Sequence, residues 1–447
     1  MGYHCFGRFR GARRELSHDA IRRHQHKGAA QQATVIFDRN GPGRGIELGT
    51  LTFPGAGAPG DKVPARLFIE NQVEPRLVRM CQAGWLPAPP PGIDCVENVH
   101  TAGYRVTSTL DSALTDQATG LLAESIQMGL QAGCACRDGA IVSIDPQSGE
   151  VLVYVPNNDG DPAQRNEGVV DIDQLIESNS PGTAFTPVAF LAWMHGLAKA
   201  PMSSLWDTNP LELDGRAITN SRAGGGSEGL ISARAALAAT QEVAAFRAAS
   251  EVGIDAVLEM AARLGITTLA MNFDPTWRSH PEMEYGASLA SAGVNVRPID
   301  MAYLLATIAN TGVMAGTATL ASELDPGTLQ SLSLAQGSDY DLALMQSRQF
   351  VRGDIRLPGT RELDPIVVLE VSDRDGNLLF TQGEPERKRT IDAGSVWLLH
   401  TVIPRVLDVR LFPVCRLGCL DRQLRQLTRE RWPCAQLCDL ISGCSPL

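Results

Sequence analysis

Residues 179–190 read NSPGTAFTPVAF, and within them Thr183 and Thr186 are spaced for nucleophilic chemistry. Pro181 and Gly182 make a turn, after which a helix starts at Thr183 and runs through Val188, Phe190, Leu191, Trp193 and Met194. A hydroxyl at position 183 lies over free backbone N–H groups and the positive end of the helix dipole, where an alkoxide or oxyanion is favoured. Its base belongs one turn on, because residues three apart share a helix face. Thr186 stands there, and a threonine hydroxyl takes no proton at neutral pH.

Two other constellations are weaker. Gly225, Ser227 and Gly229 spell G-x-S-x-G, which carries a nucleophile only on a strand-to-helix elbow. No apolar strand precedes RAGGGSEGL, so this reads as a flexible loop. Cys415, Cys419, Cys434, Cys438 and Cys444 form a C-x3-C then C-x3-C pattern with zinc-like spacing. No strand-turn signal flanks them, so no metal is expected, and an unstructured or out-of-frame tail is the simpler reading. Cys134 and Cys136 alternate into an apolar pattern as a buried thiol pair. The histidines at 18, 24 and 26 lack a partner ligand at helical or hairpin spacing.

The elements that must position Thr183 and Thr186 follow from periodicity. Residues 1–31 are a basic arm, and 32–110 alternate short apolar runs with Gly/Pro breaks, including the extended PAPPPG at 87–92. That region is expected to be a strand-rich linker. A helix over 115–133 carries Leu121, Leu122, Ile126 and Leu130. Hairpins are expected over 139–156, turning on DPQSG, and over 365–382, turning on DRDG. Between them lie helices beginning near Pro181 and Ser232 and spanning 254–264 and 298–311. Strand pairs at both ends with helices between them give a mixed α/β (α+β) sandwich.

Composition narrows the partners. The 447 residues carry a net charge of -11, which repels nucleic-acid phosphates. Lys27, Lys62, Lys199 and Lys388 are the only lysines, and no run of apolar residues is long enough for a membrane span or a secretory signal.

Residues 66–412 resemble the transpeptidase domain of class A penicillin-binding proteins, segment by segment and in order. GYRVTSTLD at 103–111 resembles the lead-in to the first helix, and SIDPQSGEVLVYV at 143–155 the first hairpin. SPGTAFTPVAFLAWMHG is similar to the nucleophile segment P-G-S-x-F-K-P, and ISARAALAATQEVAAFRAASEVG followed by ARLGI to the second-motif region. YGASLASAGVNVRPIDMAYLLATIANTGV at 285–313 resembles the Gly-rich turn and long helix ending A-N-x-G. The resemblance implies an antiparallel sheet flanked by helices, in the penicillin-binding/β-lactamase-like transpeptidase fold. It implies peptidoglycan stem peptides or β-lactams as ligands, cell-wall synthesis proteins as partners, no cofactor, and a place at the outer face of the cytoplasmic membrane. Domain limits on this basis are 1–31, 32–110, 111–412 and a Cys-rich tail at 413–447.

The chain departs from the family's S-x-x-K, S-x-N and K-T-G motifs. Thr183 stands at the serine position, Thr186 at the lysine position, and Thr240 and Glu242 at the S-x-N positions. None of the four lysines precedes Thr-Gly or Ser-Gly. Loss of a positioned base costs about 10²- to 10⁴-fold in rate. Glu242 also adds a negative charge where an anionic substrate lies, a repulsion of roughly 4 kcal/mol at about 4 Å and an effective dielectric of about 20. The expected sheet is incomplete at the C-terminus, because LDRQLRQLTRERW reads as a short charged helix where strands should follow. Three readings follow: a catalytically inactive binding or scaffold relative, an active D,D-transpeptidase working through Thr183 with Glu242 as a base, and a decayed or misframed gene product.

Overall fold

The computed structural model describes residues 32–36, 65–131, 138–157, 175, 180–213, 216–220, 226–267, 269, 285–290, 294–320, 361 and 363–402. The basic arm at 1–31, Cys134, Cys136, Gly225 and the tail at 413–447 lie outside these residues.

Strand β1 (Gln32–Ile36) is followed, after residue 64, by helix rather than strand. Helix α1 (Arg66–Phe68) passes through a π turn at Ile69–Val73 into α2 (Glu74–Gln82), and α3 (Cys95–Thr101) comes after the Pro-rich stretch. Short apolar runs between Gly/Pro breaks had suggested strands here. Phe68, Val73, Leu77 and Met80 instead recur at helical spacing and are fully buried together. Pro75 has no N–H to give the ladder, and the turn ahead of it takes the wider π form. A disulfide between Cys81 and Cys95 ties α2 to α3.

Strand β2 (Arg105–Asp111) leads directly into α4 (Ser112–Gln131). Leu122 and Ile126 of α4 pack on Val153 and Val155, whereas Leu121 and Leu130 face solvent. The DPQSG hairpin is β3 (Ile141–Ile144) with β4 (Val151–Val155). Gly149 of that turn has φ +79° and abuts the Ala315 carbonyl, so neither the backbone angle nor the space admits a side chain. After β9 (Val313–Ala318) and β10 (Leu363–Asp364), the DRDG hairpin is β11 (Val368–Ser372) with β12 (Leu378–Thr381).

Strands order β1-β2-β11-β12 in an antiparallel sheet, and β9 sits between β10 and β13 (Glu386–Arg389) in a second antiparallel sheet. The first hairpin is stitched to the four-stranded sheet by the parallel bridge Glu150–Ile366 and by the Thr109 hydroxyl, which donates to the Val151 carbonyl at 2.7 Å.

Between the hairpins lies the helical subdomain. It comprises α5 (Thr186–Gly196), the short pairs β5 (Ser204–Asp207) with β8 (Gly229–Ser232) and β6 (Leu211–Leu213) with β7 (Arg216–Ile218), then α6 (Ala233–Ala239), α7 (Glu242–Val252), α8 (Ile254–Leu264) and α9 (Pro298–Ala309). Helix α10 (Ala393–His400) packs on α5. One apolar core surrounds α5, and a second fills the space between α1–α3, the sheet and α9. The architecture is α+β, with antiparallel sheets and hairpins packed against helices.

A buried ion network fastens α9. Asp300 accepts from Arg297 Nε at 3.0 Å and Thr267 Oγ1 at 2.7 Å, and its other oxygen accepts from Arg361 at 3.0 Å. Arg361 also reaches Asp364 at 3.0 Å and the Gly265 carbonyl at 3.1 Å. Burial by itself would raise the Asp300 pKa, but the two guanidiniums and Thr267 hold it below the ordinary carboxylate range.

Candidate functional site

Gly182, with φ +53°, turns the chain into a 3-10 turn, Gly182–Phe185, that runs straight into α5. Thr183 is half-buried within that turn, and Thr186 is the first residue of the α-helix. The Thr186 side chain is 2% exposed, and its hydroxyl donates to the Ala290 carbonyl at 3.0 Å. Ala290 closes a second 3-10 turn, Ala287–Ala290. Helix α5 is apolar all round and buried from Thr186 to Met194, the pattern of a central core helix.

The second pair of expected site residues lies at a break. The Ala-rich sequence from Ser232 reads as one helix, but Thr240 adopts φ 52°, ψ 48° and separates α6 from α7. A left-handed, β-branched residue is strained. Its hydroxyl turns onto the Ala239 carbonyl at 2.7 Å. Glu242, half-buried, opens α7 in the first turn. Gln241 between them is 2% exposed, and its Oε1 has no hydrogen-bond partner among the described residues.

Helix α7 is capped from a distance. The Val243 N–H donates to Asn220 Oδ1 at 3.1 Å, and Asn220 Nδ2 donates to Asp207 Oδ1 at 2.7 Å and to the Gly226 carbonyl at 3.2 Å. Asp207, fully buried, also accepts the Glu228 N–H at 2.9 Å, while Ser227 donates its hydroxyl to the Asp207 carbonyl. Ser227 is thus a loop clamp, and a strand follows it rather than the helix a nucleophile elbow requires.

Helices α5 and α7 pack side by side, and the Trp193 indole N–H reaches Glu251 Oε2 at 2.7 Å. Both residues lie in the last turns of their helices, so the C-terminal ends are together and the starts carrying Thr186 and Glu242 lie at the opposite end. The turn Ala287–Ala290 contacts both helices and the Gly182–Phe185 turn. One 3-10 turn thus touches both the segment that begins at Thr183 and the helix that begins at Glu242, although 56 residues separate Thr186 from Glu242 in the numbering.

No lysine among the described residues serves this end. Lys199 lies past the far end of α5, with its ammonium 5.6 Å from the Trp193 ring centre, and Lys388 is on β13. Lys27 and Lys62 lie outside the described residues. A Ser-His-Asp trio also occurs: His195 Nδ1 lies 2.9 Å from Asp392 Oδ2 and 3.3 Å from Ser395 Oγ. Both oxygens meet the same ring nitrogen, whereas a proton relay needs serine and carboxylate on opposite nitrogens. Asp392 is the N-cap of α10, accepting the Ser395 N–H at 2.8 Å. Among the described residues no group of three or more His, Cys, Asp or Glu could hold a metal, and no helix is long and apolar enough to cross a membrane.

The geometry defines an α+β protein whose central, buried helix is entered through the Gly182–Phe185 turn and anchored at its start by the Thr186 hydroxyl on the Ala290 carbonyl. Residues 139–334 match the model of the penicillin binding protein transpeptidase domain. Among solved structures it is similar to the penicillin-binding protein PonA1 from Mycobacterium tuberculosis, at 18% identity over 73% of this chain and 68% of that one, TM-score 0.48. It is similar to penicillin-binding protein A from M. tuberculosis, an imipenem acyl-enzyme complex, at 18% identity over 70% of this chain and 65% of that one, TM-score 0.45. A peptidoglycan synthetase from Bifidobacterium adolescentis is similar at 14% identity over 68% of this chain, TM-score 0.45. This chain spans less than two thirds of the second structure and 47% of the third. No curated protein matches.

Proposed function

We propose that this protein is a transpeptidase-like penicillin-binding protein of peptidoglycan biosynthesis that no longer performs acyl transfer, acting as a binding or scaffold member of cell-wall assembly. Thr183 marks its nucleophile position, Thr186 its base position, and Thr240 with Glu242 its second motif. The observation that carries the reading is the Thr186 hydroxyl, whose proton is committed to the Ala290 carbonyl at 3.0 Å in a buried position. A neutral hydroxyl held as a donor cannot take the proton of Thr183, so the nucleophile stays unactivated. Two filled apolar cores favour a folded binding protein over a decayed fragment. The Cys81–Cys95 disulfide supports an oxidising compartment, consistent with the outer face of the cytoplasmic membrane.

The test is incubation of the purified chain with a fluorescent penicillin. The expected result is no covalent band. A single labelled band that disappears in Thr183→Ala would establish acyl transfer through Thr183 and overturn the proposal.

A further inference from the structure

Helices α2 and α3 form an antiparallel pair that is fastened at both ends by different chemistry. At the loop end, Cys81 in the last turn of α2 is bonded to Cys95, the first residue of α3. At the open end, Glu74, the first residue of α2, meets His100 in the last turn of α3, with Oε1 2.5 Å from Nε2. One fastening is covalent and yields to reduction. The other is an ion pair and yields to loss of a proton.

The two helices do not depend on these fastenings equally. Helix α2 buries Pro75, Arg76, Leu77, Met80 and Cys81, and Arg76 donates to the Thr317 hydroxyl at 3.1 Å and the Ala318 carbonyl at 3.2 Å on β9. It is built into the core. Helix α3 has seven residues and buries Asn98 and Val99, with the Asn98 amide donating to the Tyr104 hydroxyl at 2.9 Å. A helix this short does not persist by itself.

The Glu74 hydrogen bond raises the His100 pKa against the opposing effect of burial, and Glu74 also supplies the Coulombic attraction. Of the other charged groups on the pair, Arg76 is turned onto β9, Arg79 is half-buried on α2, and Asp94 and Glu97 are exposed at the start of α3. The ionic clasp is therefore closed below the ordinary histidine value and opens as pH rises through the raised one. The two sulfurs differ in access, since Cys81 is 5% exposed and Cys95 is half-buried. An external thiolate reaches the Cys95 sulfur, forms a mixed disulfide there and expels Cys81 as a thiolate, which takes up a proton. A second thiolate of the same reductant then displaces Cys95. The chain gains two electrons and two protons and ends with two thiols, while the dithiol ends as a disulfide.

We propose that the α2–α3 pair is a latch with two keys: a dithiol reductant opens the Cys81–Cys95 end, and only in the reduced chain does deprotonation of His100 release α3 from α2. With the disulfide closed, α3 is tethered to α2 across a sequence separation of 14 and stays docked whatever the charge on the imidazole. Reduction raises the opening of α3 by roughly a hundredfold, the loop-closure effect for a ring of this size, but leaves the ionic clasp in place. With both fastenings gone, Val99 and the Asn98 bond are what remain. This device lies outside the transpeptidase-like site, so its test does not depend on acylation.

The test is hydrogen exchange of the full chain, corrected for the intrinsic pH dependence, between about pH 5.5 and 8.5. In the oxidised parent, residues 95–101 should keep their protection across the range. In Cys81→Ala with Cys95→Ala they should be protected at the acid end and lose about tenfold in protection or more by the alkaline end, as the charge-assisted bond is lost. Adding His100→Gln should remove the protection at both ends. Residues 74–82 should stay protected throughout, which separates a released helix from an unfolded protein. Equal loss in parent and double variant, no loss in the double variant, or loss at 74–82 together with 95–101 would each overturn the latch. A second measurement treats the native parent with dithiothreitol, then iodoacetamide, and maps the labelled peptides. Cys81 and Cys95 should be alkylated without denaturant, and a disulfide that is cut only in urea would also defeat the proposal.

Discussion

The Trp193 indole N–H and the Glu251 carboxylate meet at 2.7 Å, joining the last turns of the two central helices that begin at Thr186 and Glu242. Trp193 is fully buried, so this bond satisfies a donor that water cannot reach. Glu251→Ala should lower stability by about 1–3 kcal/mol, the cost of stranding a buried donor. Urea denaturation of parent and variant measures it, and an unchanged midpoint would show that Trp193 finds another acceptor.

On the proposed reading, placing serine at 183 and lysine at 186 should not create acyl-transfer chemistry. Thr183→Ser with Thr186→Lys puts an ammonium where the structure buries a neutral hydroxyl against Ala290, and it leaves Glu242 and the missing lysine-threonine-glycine strand motif unrepaired. Groups that act as a unit are non-additive, so the double variant should show no thioester turnover. Its unfolding midpoint should also fall, because a charged lysine at this site lacks a partner. Turnover above background would show that the third motif is dispensable.

Acid sensitivity should centre on Asp300. Its pKa is lowered in the fold, so its contribution is present above the ordinary carboxylate value and lost as pH falls through the lower, folded value. Asp300→Asn breaks the pairs with Arg297 and Arg361 and should cost roughly 3–5 kcal/mol. The variant's stability should also be flatter below about pH 4. Thermal unfolding from acid to neutral pH separates this from a uniform loss.

His100 behaves in the opposite sense. Its Nε2 lies 2.5 Å from Glu74 Oε1, and that hydrogen bond raises the imidazole pKa against the opposing effect of burial. The stabilisation is therefore full below the ordinary histidine value of about 6.5 and disappears as pH rises through the raised one. The unfolding midpoint should decline across that window in the parent, and His100→Gln should remove the decline. A parent profile that rises with pH there would contradict the pairing.

Local chemistry made much of this fold legible. DPQSG and DRDG carry their own turn residues between β-rich runs, and both hairpins form where those residues put them. Ser232 marks a helix start by accepting the Ala235 N–H at 3.2 Å. Thr183 and Thr186 could be placed at a helix entry because Pro-Gly and the apolar run after it are contiguous. What could not be read depends on residues far apart in the chain. The break at Thr240 lies inside a stretch with unbroken helix propensity, and the cap on Val243 comes from Asn220, whose role depends on Asp207 and Gly226. In residues 66–101 Gly/Pro breaks hide a helical period, and Cys81 and Cys95 are two of ten cysteines whose pairing no spacing dictates.

The stitch at Thr109 sets an order of events during synthesis. Its hydroxyl bonds Val151 on one side and Ile366 on the other, and the latter partner lies 257 residues downstream. Strand β2 likewise finds one of its neighbours only when β11 exists. The central sheet must wait for the second hairpin. Pairings of such long sequence separation close slowly. The nascent chain therefore carries an unpaired β2 edge for most of its translation, and a pause or truncation before residue 366 leaves that edge open to other chains.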